Sequence, residues 1–133
     1  MNCDCDYEPS TVWASKMVRA KKPWRCTECN GTIPVGETYE RIGSLFDGSW
    51  STFRLCGDCR VAICDMGKAT ESQGGCFCYA AGYLMGEMAD TADDSSRDEQ
   101  KILLPIFAAF NAASKARGGR LFDLDLRFDL TNQ

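Results

Sequence analysis

The chain is 133 residues long, 44% hydrophobic and 26% charged, carries a formal net charge of −4, and contains no histidine. A length of this order fits one domain with one core, and no apolar run approaches the roughly 18 residues of a membrane span. Without an imidazole the chain cannot build Ser-His-Asp or Cys-His catalysis, nor any zinc site that needs a histidine ligand.

Met1-Asn2-Cys3-Asp4-Cys5-Asp6 is acidic and lacks the apolar stretch of a secretory signal, so the chain is expected in a cytosol. The segment through Pro9 has no apolar period and reads as coil. Lys16, Arg19, Lys21, Lys22 and Arg25 form the one basic cluster, and Pro23 and Trp24 end any helix before the first Cys-x-x-Cys. Cys26-Thr27-Glu28-Cys29-Asn30-Gly31 reads as a knuckle, a tight turn whose amides point at the sulfurs, with Gly31 expected at positive φ. Thr38–Ile42 and Trp50–Leu55 read as strands about an Asp47-Gly48 turn and predict a hairpin. It runs into Cys56-x-x-Cys59, which opens a short helix carrying Cys64, itself read as a small buried apolar residue.

Gly74-Gly75 breaks the chain before Cys76-Phe77-Cys78, and the spacing of Ala80, Ala81, Leu84, Met85 and Met88 predicts a helix over Tyr79–Met88. Residues 90–95 read as an acidic linker. Ser96 and Glu99 form a capping box ahead of an amphipathic helix that ends at Gly118-Gly119, with Pro105 kinking it or leaving one carbonyl unpaired. Phe122, Leu124, Leu126, Phe128 and Leu130 alternate with charged residues and predict a strand with one wet face. Such a strand has to pair with the central hairpin or with a second copy of the chain.

Eight of the nine cysteines fall into four close pairs, Cys3/Cys5, Cys26/Cys29, Cys56/Cys59 and Cys76/Cys78. Cysteines one or two residues apart rarely disulfide to each other but can direct both sulfurs at one ion, and eight thiolates satisfy two tetrahedral Zn2+ ions. Two wirings are open. In the nested one, pairs two and three share one ion and the outer pairs share the other. In the cross-brace one, pairs one and three share an ion and pairs two and four the other. Nesting is favoured, because the turn, hairpin and helix between pairs two and three are complete on their own. Charge is uneven: residues 1–15 sum to −3, 16–60 to +3 and 61–133 to −4. General affinity for DNA is therefore disfavoured, although Lys16, Arg19, Lys21, Lys22 and Arg25 beside Trp24 are the residue types that contact phosphate and stack on bases.

The order of Cys-x-x-Cys turn, hairpin and Cys-x-x-Cys helix start over residues 24–66 resembles the treble-clef zinc finger. The implied fold is a single α+β domain over 1–133: a treble-clef core at 24–66, a second four-cysteine zinc site, two further helices and a C-terminal strand, with 96–133 forming a helix-plus-strand extension. Residues 1 to about 88 also resemble a group of small zinc-binding proteins of bacteriophages and prophages. The matching features are Cys3-Asp4-Cys5-Asp6-Tyr7, the basic run before Cys26, Gly36-Glu37-Thr38-Tyr39-Glu40-Arg41, Thr52-Phe53-Arg54 before Cys56, and Cys76-Phe77-Cys78-Tyr79. That resemblance implies a zinc-binding phage product and little about its activity; because phage genomes carry many small acidic proteins that disable host defences, anti-CRISPR proteins among them, the expectation is a non-enzymatic protein that binds and inhibits a host protein or ribonucleoprotein complex. Its C-terminal acids would act by mimicry of nucleic acid. A nucleic-acid-binding zinc finger acting as a phage regulator is the other expectation.

Overall fold

Asp47 and Gly48 adopt φ values of 51° and 79°, the two left-handed positions that a tight hairpin turn needs and that an Asp-Gly pair supplies at low cost. The computed structural model describes residues 12–128, and around this turn it places β4 (Thr38–Phe46) and β5 (Ser49–Leu55) in antiparallel register, with Ile42 opposite Phe53 and Glu40 opposite Leu55. A third strand not expected from the sequence, β1 (Val12–Arg19), pairs with the other edge of β4, setting Ser15 opposite Ile42 and Val18 opposite Tyr39. Two-residue strands β2 (Trp24–Arg25) and β3 (Thr32–Ile33) bracket the first Cys-x-x-Cys as a separate ribbon.

Four helices follow: α1 (Gly57–Glu71), α2 (Leu84–Asp93), α3 (Arg97–Ala116) and the single turn α4 (Leu124–Arg127). On α1 the residues Cys59, Ala62, Met66 and Ala69 make one buried stripe. On α3 the stripe is Leu103, Phe107, Phe110 and Ser114. These stripes meet α2 residues Leu84, Met88 and Ala92 in one core that also takes in Ile33, Tyr39 and Leu55. Its apolar area is what the helices contribute to stability.

The α3 capping box forms as the sequence predicts: Ser96 Oγ accepts from the Glu99 amide at 3.2 Å and Glu99 Oε1 accepts from the Ser96 amide at 3.3 Å. Pro105 lies inside this uninterrupted helix. It ends where expected, with Gly118 at φ 72°.

Other expectations fail. The alternating segment after Leu121 is not a strand over residues 122–128. Asn111 brackets the Phe122 backbone, its Nδ2 donating to the Phe122 carbonyl at 2.9 Å and its Oδ1 accepting from the Phe122 amide at 2.8 Å. Both ladder positions of Phe122 are thereby occupied. Asp123 then accepts from the Leu126 amide and starts a helical turn. Phe122 packs against Phe107 and Phe110 at ring separations of 4.6 and 5.2 Å, while Phe128 meets Phe107 at 5.0 Å. Leu126 is left 79% exposed. Leu130 lies outside the described residues. A dimer through this segment therefore has no strand to use over residues 122–128.

The second predicted helix starts five residues late and absorbs most of the expected acidic linker. Gly82, at φ 91°, prevents a helix from running through from Tyr79. The positive φ expected at Gly31 belongs instead to Asn30, at 61°.

Gly31 and Gly119 matter for close approach. A Cβ on Gly119 would stand 2.5 Å from the Cys29 carbonyl and 2.6 Å from Ser114 Oγ, and one on Gly31 would stand 2.5 Å from Arg117 Cβ. The end of α3 is thus seated directly on the first cysteine turn. Gly119→Ala is expected to destabilise the protein by about 1–3 kcal/mol in denaturant unfolding, as overpacking does. Gly67→Ala, in open space on α1, should stabilise it by about 0.5–1 kcal/mol.

Candidate metal centre

Cys26 and Cys29 sit on the turn between β2 and β3, Cys56 is the residue that caps α1, and Cys59 lies in its first turn. Their four Sγ atoms all lie within 4.8 Å of one another and all four side chains are buried. Cys26 Sγ is 3.7 Å from Cys59 Sγ, and Cys29 Sγ is 4.0 Å from Cys56 Sγ. A disulfide needs about 2.05 Å, so these are not bridged pairs. A tetrahedron of thiolates around an ion at about 2.3 Å has edges of about 3.8 Å. The cluster has the size of a tetrahedral metal site, and its residues can hold one ion. An all-sulfur donor set suits soft or borderline ions.

Backbone geometry fixes these positions. The Cys26 amide donates to the Gly31 carbonyl at 2.8 Å and the Asn30 amide to the Cys26 carbonyl at 3.0 Å, closing the turn. Thr27 ties the turn to β5: its amide donates to the Arg54 carbonyl at 2.7 Å and its hydroxyl accepts from the Arg54 amide at 2.9 Å. Two amides then point at sulfur, Gly31 at Cys29 (3.3 Å) and Cys56 at Cys26 (3.4 Å). Such donors favour the thiolate form that a metal requires. Hydrogen bonds from Cys26, Cys56 and Cys59 and the Gly31 amide hold Cys29 well below the ordinary thiol range. The bonds to Cys26 and Cys29 push Cys56 and Cys59 up. Coordination to an ion would let all four sulfurs ionise.

Two polar contacts brace the site, and neither is visible in the cysteine pattern. Glu28, between the first two cysteines, is buried and accepts from Tyr79 Oη at 2.6 Å, the Gly82 amide at 2.7 Å and the Leu84 amide at 2.9 Å. Glu28 therefore caps α2 and anchors the loop that carries Cys76 and Cys78. Burial and the Glu28 charge hold the Tyr79 phenol above its usual pKa, keeping it a donor. From the end of α3, Arg117 makes a bidentate pair with Glu37 (2.7 and 3.1 Å) and donates to Asp58 at 2.8 Å and to the Thr32 carbonyl at 3.0 Å. Burial opposes its charge, but these bonds outweigh it and raise its pKa. The Arg120 amide completes the brace by donating to the Cys29 carbonyl at 2.6 Å.

Of the outer pairs, Cys76 Sγ and Cys78 Sγ lie 3.9 Å apart, too far for a disulfide between them. Both stand in disulfide linkage, though not with each other. Cys3 and Cys5 lie outside the described residues. Cys64 is exposed on α1, not buried. It falls on the solvent side of a helix whose inward stripe is Cys59, Ala62, Met66 and Ala69.

Comparison of the chain with protein-family models, curated proteins and solved structures gives no match in any of the three.

The basic residues singled out in the sequence separate. Lys16 and Arg19, three apart on β1, fall on opposite faces of the sheet. Lys21 is exposed in the connection to β2. Lys22, Trp24 and Arg25 come together with Arg54: the Lys22 ammonium lies 4.2 Å and the Arg54 guanidinium 3.6 Å from the Trp24 ring centre. Arg60 instead pairs with Glu40 at 3.2 Å.

Replacing Glu28 by Ala should strand one hydroxyl and two amides, each worth about 1–3 kcal/mol when buried without a partner. Hydrogen exchange is expected to speed at Gly82 and Leu84, while the capacity of the four cysteines to take up an added ion is unchanged. Arg117→Ala should lower the unfolding midpoint more than Arg127→Ala, whose pair with Asp93 is more exposed.

Proposed function

We propose that the chain is a non-enzymatic binding module built on a treble-clef zinc finger, in which Zn2+ held by Cys26, Cys29, Cys56 and Cys59 is structural. Four buried protein ligands support this reading, because a catalytic zinc keeps a coordination position for water or substrate and a site closed by four cysteines does not. A second Zn2+ held by Cys3, Cys5, Cys76 and Cys78, in the nested wiring, would tie the N-terminal segment to the loop that Glu28 anchors. It takes the thiolate form of these residues, and so requires reduction of the disulfides in which Cys76 and Cys78 stand. The separation of their sulfurs, 3.9 Å, is the edge length such a site needs.

The observation that carries the binding reading is the far end of the three-stranded sheet. Near the metal centre, Arg60 of α1 reaches Glu40 on one face of the sheet, and Trp24 of the β2–β3 ribbon lies against Arg54 on the other. Beyond these contacts Trp13, Phe46 and Trp50 are 51%, 43% and 65% exposed. Large aromatic side chains displayed on a stiff support are the usual anchors of protein interfaces. With the phage resemblance of residues 1–88, the partner is a host protein or ribonucleoprotein in a bacterial cytoplasm, and the function is inhibition of a defence complex in the manner of anti-CRISPR proteins.

Trp13→Ala with Trp50→Ala is expected to abolish stoichiometric capture of that partner from host cells at an unchanged unfolding midpoint. Capture of the same partner at wild-type yield by this double variant would contradict the reading.

A further inference from the structure

The register of the sheet lines up Lys16, Arg41 and Arg54, with Lys16 opposite Arg41 and Arg41 opposite Arg54. By the alternation of strands all three belong to one face, which contains Ala14, Val18, Tyr39, Gly43, Leu45, Trp50 and Thr52 and no acidic residue. Like charges directly opposite across strands destabilise a sheet. Here two such contacts stand in series. Among the described residues no carboxylate pairs with any of the three cations, whereas Arg60, Lys101 and Arg127 each have one and Arg117 has two.

The row continues off the sheet. Arg54 lies over Trp24, and its Nε is buried with no hydrogen-bond partner. Beside it an open hollow of about 470 Å3 is lined by Pro23, Trp24, Arg25, Thr32 and Arg54, with Lys22 over the same tryptophan. A buried guanidinium nitrogen without an acceptor calls for a bound water or ion. The polar side chains at this hollow, those of Arg25, Thr32 and Arg54, are cationic or hydroxyl, so an anion is the species they would hold. A row of cations matches a repeating anion better than a single one.

We propose that this face binds the phosphodiester backbone of a nucleic acid, with Lys16, Arg41 and Arg54 contacting successive phosphates and Arg25 and Lys22 extending the track. The proposal rests on the reading of the chain as a binding module, but not on the protein partner assigned to the aromatic end. It also separates the basic and aromatic residues singled out in the sequence: Lys16, Lys22, Trp24 and Arg25 belong to the track, Arg19 faces the other way, and Arg41 and Arg54 are added. Overall net charge does not oppose it, because phosphate contact is local and no acidic residue of β1, β4 or β5 belongs to this face.

The test is fluorescence anisotropy of the full chain with a labelled oligothymidylate and with a duplex of the same length, over a salt series. Binding should weaken with salt, with a logarithmic slope of about 0.7 per phosphate neutralised on the single strand. The two probes distinguish single-stranded from duplex backbone. Arg41→Glu should weaken binding at least about tenfold and reduce the slope. The same substitution converts two like-charge contacts into opposite pairs, so the unfolding midpoint should hold or rise. A lost function with a gained stability is not what a folding defect produces. Lys16→Glu, on the surface, should act in the same direction. Absence of salt-dependent binding to either probe, wild-type affinity in Arg41→Glu, or equal binding of polyglutamate would each overturn the proposal. Capture of a protein partner through Trp13 and Trp50 should be unaffected by Arg41→Glu, which keeps the failure of one reading distinct from failure of the other.

Discussion

Four sulfurs within 4.8 Å of one another, two from a turn and two from the start of a helix, join two parts of the chain. The turn joins the two short strands of the β2–β3 ribbon, and the helix lies in the apolar core that also takes in Cys26, Cys29 and Ile33. The sequence distance between them is spanned by a hairpin whose outer half exposes Phe46 and Trp50. An ion in that cluster would replace the apolar area that so small a sheet lacks, and would couple folding to metal affinity. The hydrogen bonds around the sulfurs serve the same end, orienting two amides and fixing the turn against β5.

A second tier of contacts spreads this local order through the molecule. Glu28 carries it to α2 and Arg117 carries it to α3, so both later helices are referenced to the first cysteine turn. The glycines at 31 and 119 permit the backbone approach on which the Arg117 contacts depend. The helical core and the cysteine cluster are therefore one structure, although each is recognisable by itself.

Local chemistry was legible and distant chemistry was not. Asp47-Gly48, the Ser96–Glu99 box and Gly118 specify their structures within a few residues, and each formed as read. The strand β1 escaped because both its faces are largely wet, which removes the alternation that marks a half-buried strand. The start of α2 is set by a carboxylate 56 residues away, and Arg117 finds acids 59 and 80 residues away, so neither leaves a local signal. The terminal segment carries a period of two, yet it is claimed by Asn111 and by the rings of α3. For the candidate site, the inner cysteine pairs were evident from spacing alone. The cationic row was not, because its members lie on three strands whose register no single segment reveals.

This division suggests how the molecule works. The cysteine cluster and the core fix a frame, and the sheet beside it displays aromatics at its far end and cations across its middle. The most direct test of the account is X-ray absorption at the zinc edge on protein purified without added metal. The account predicts bound zinc with a shell of four sulfurs at about 2.3 Å. Protein that is folded without zinc, or zinc surrounded by oxygen, would contradict it.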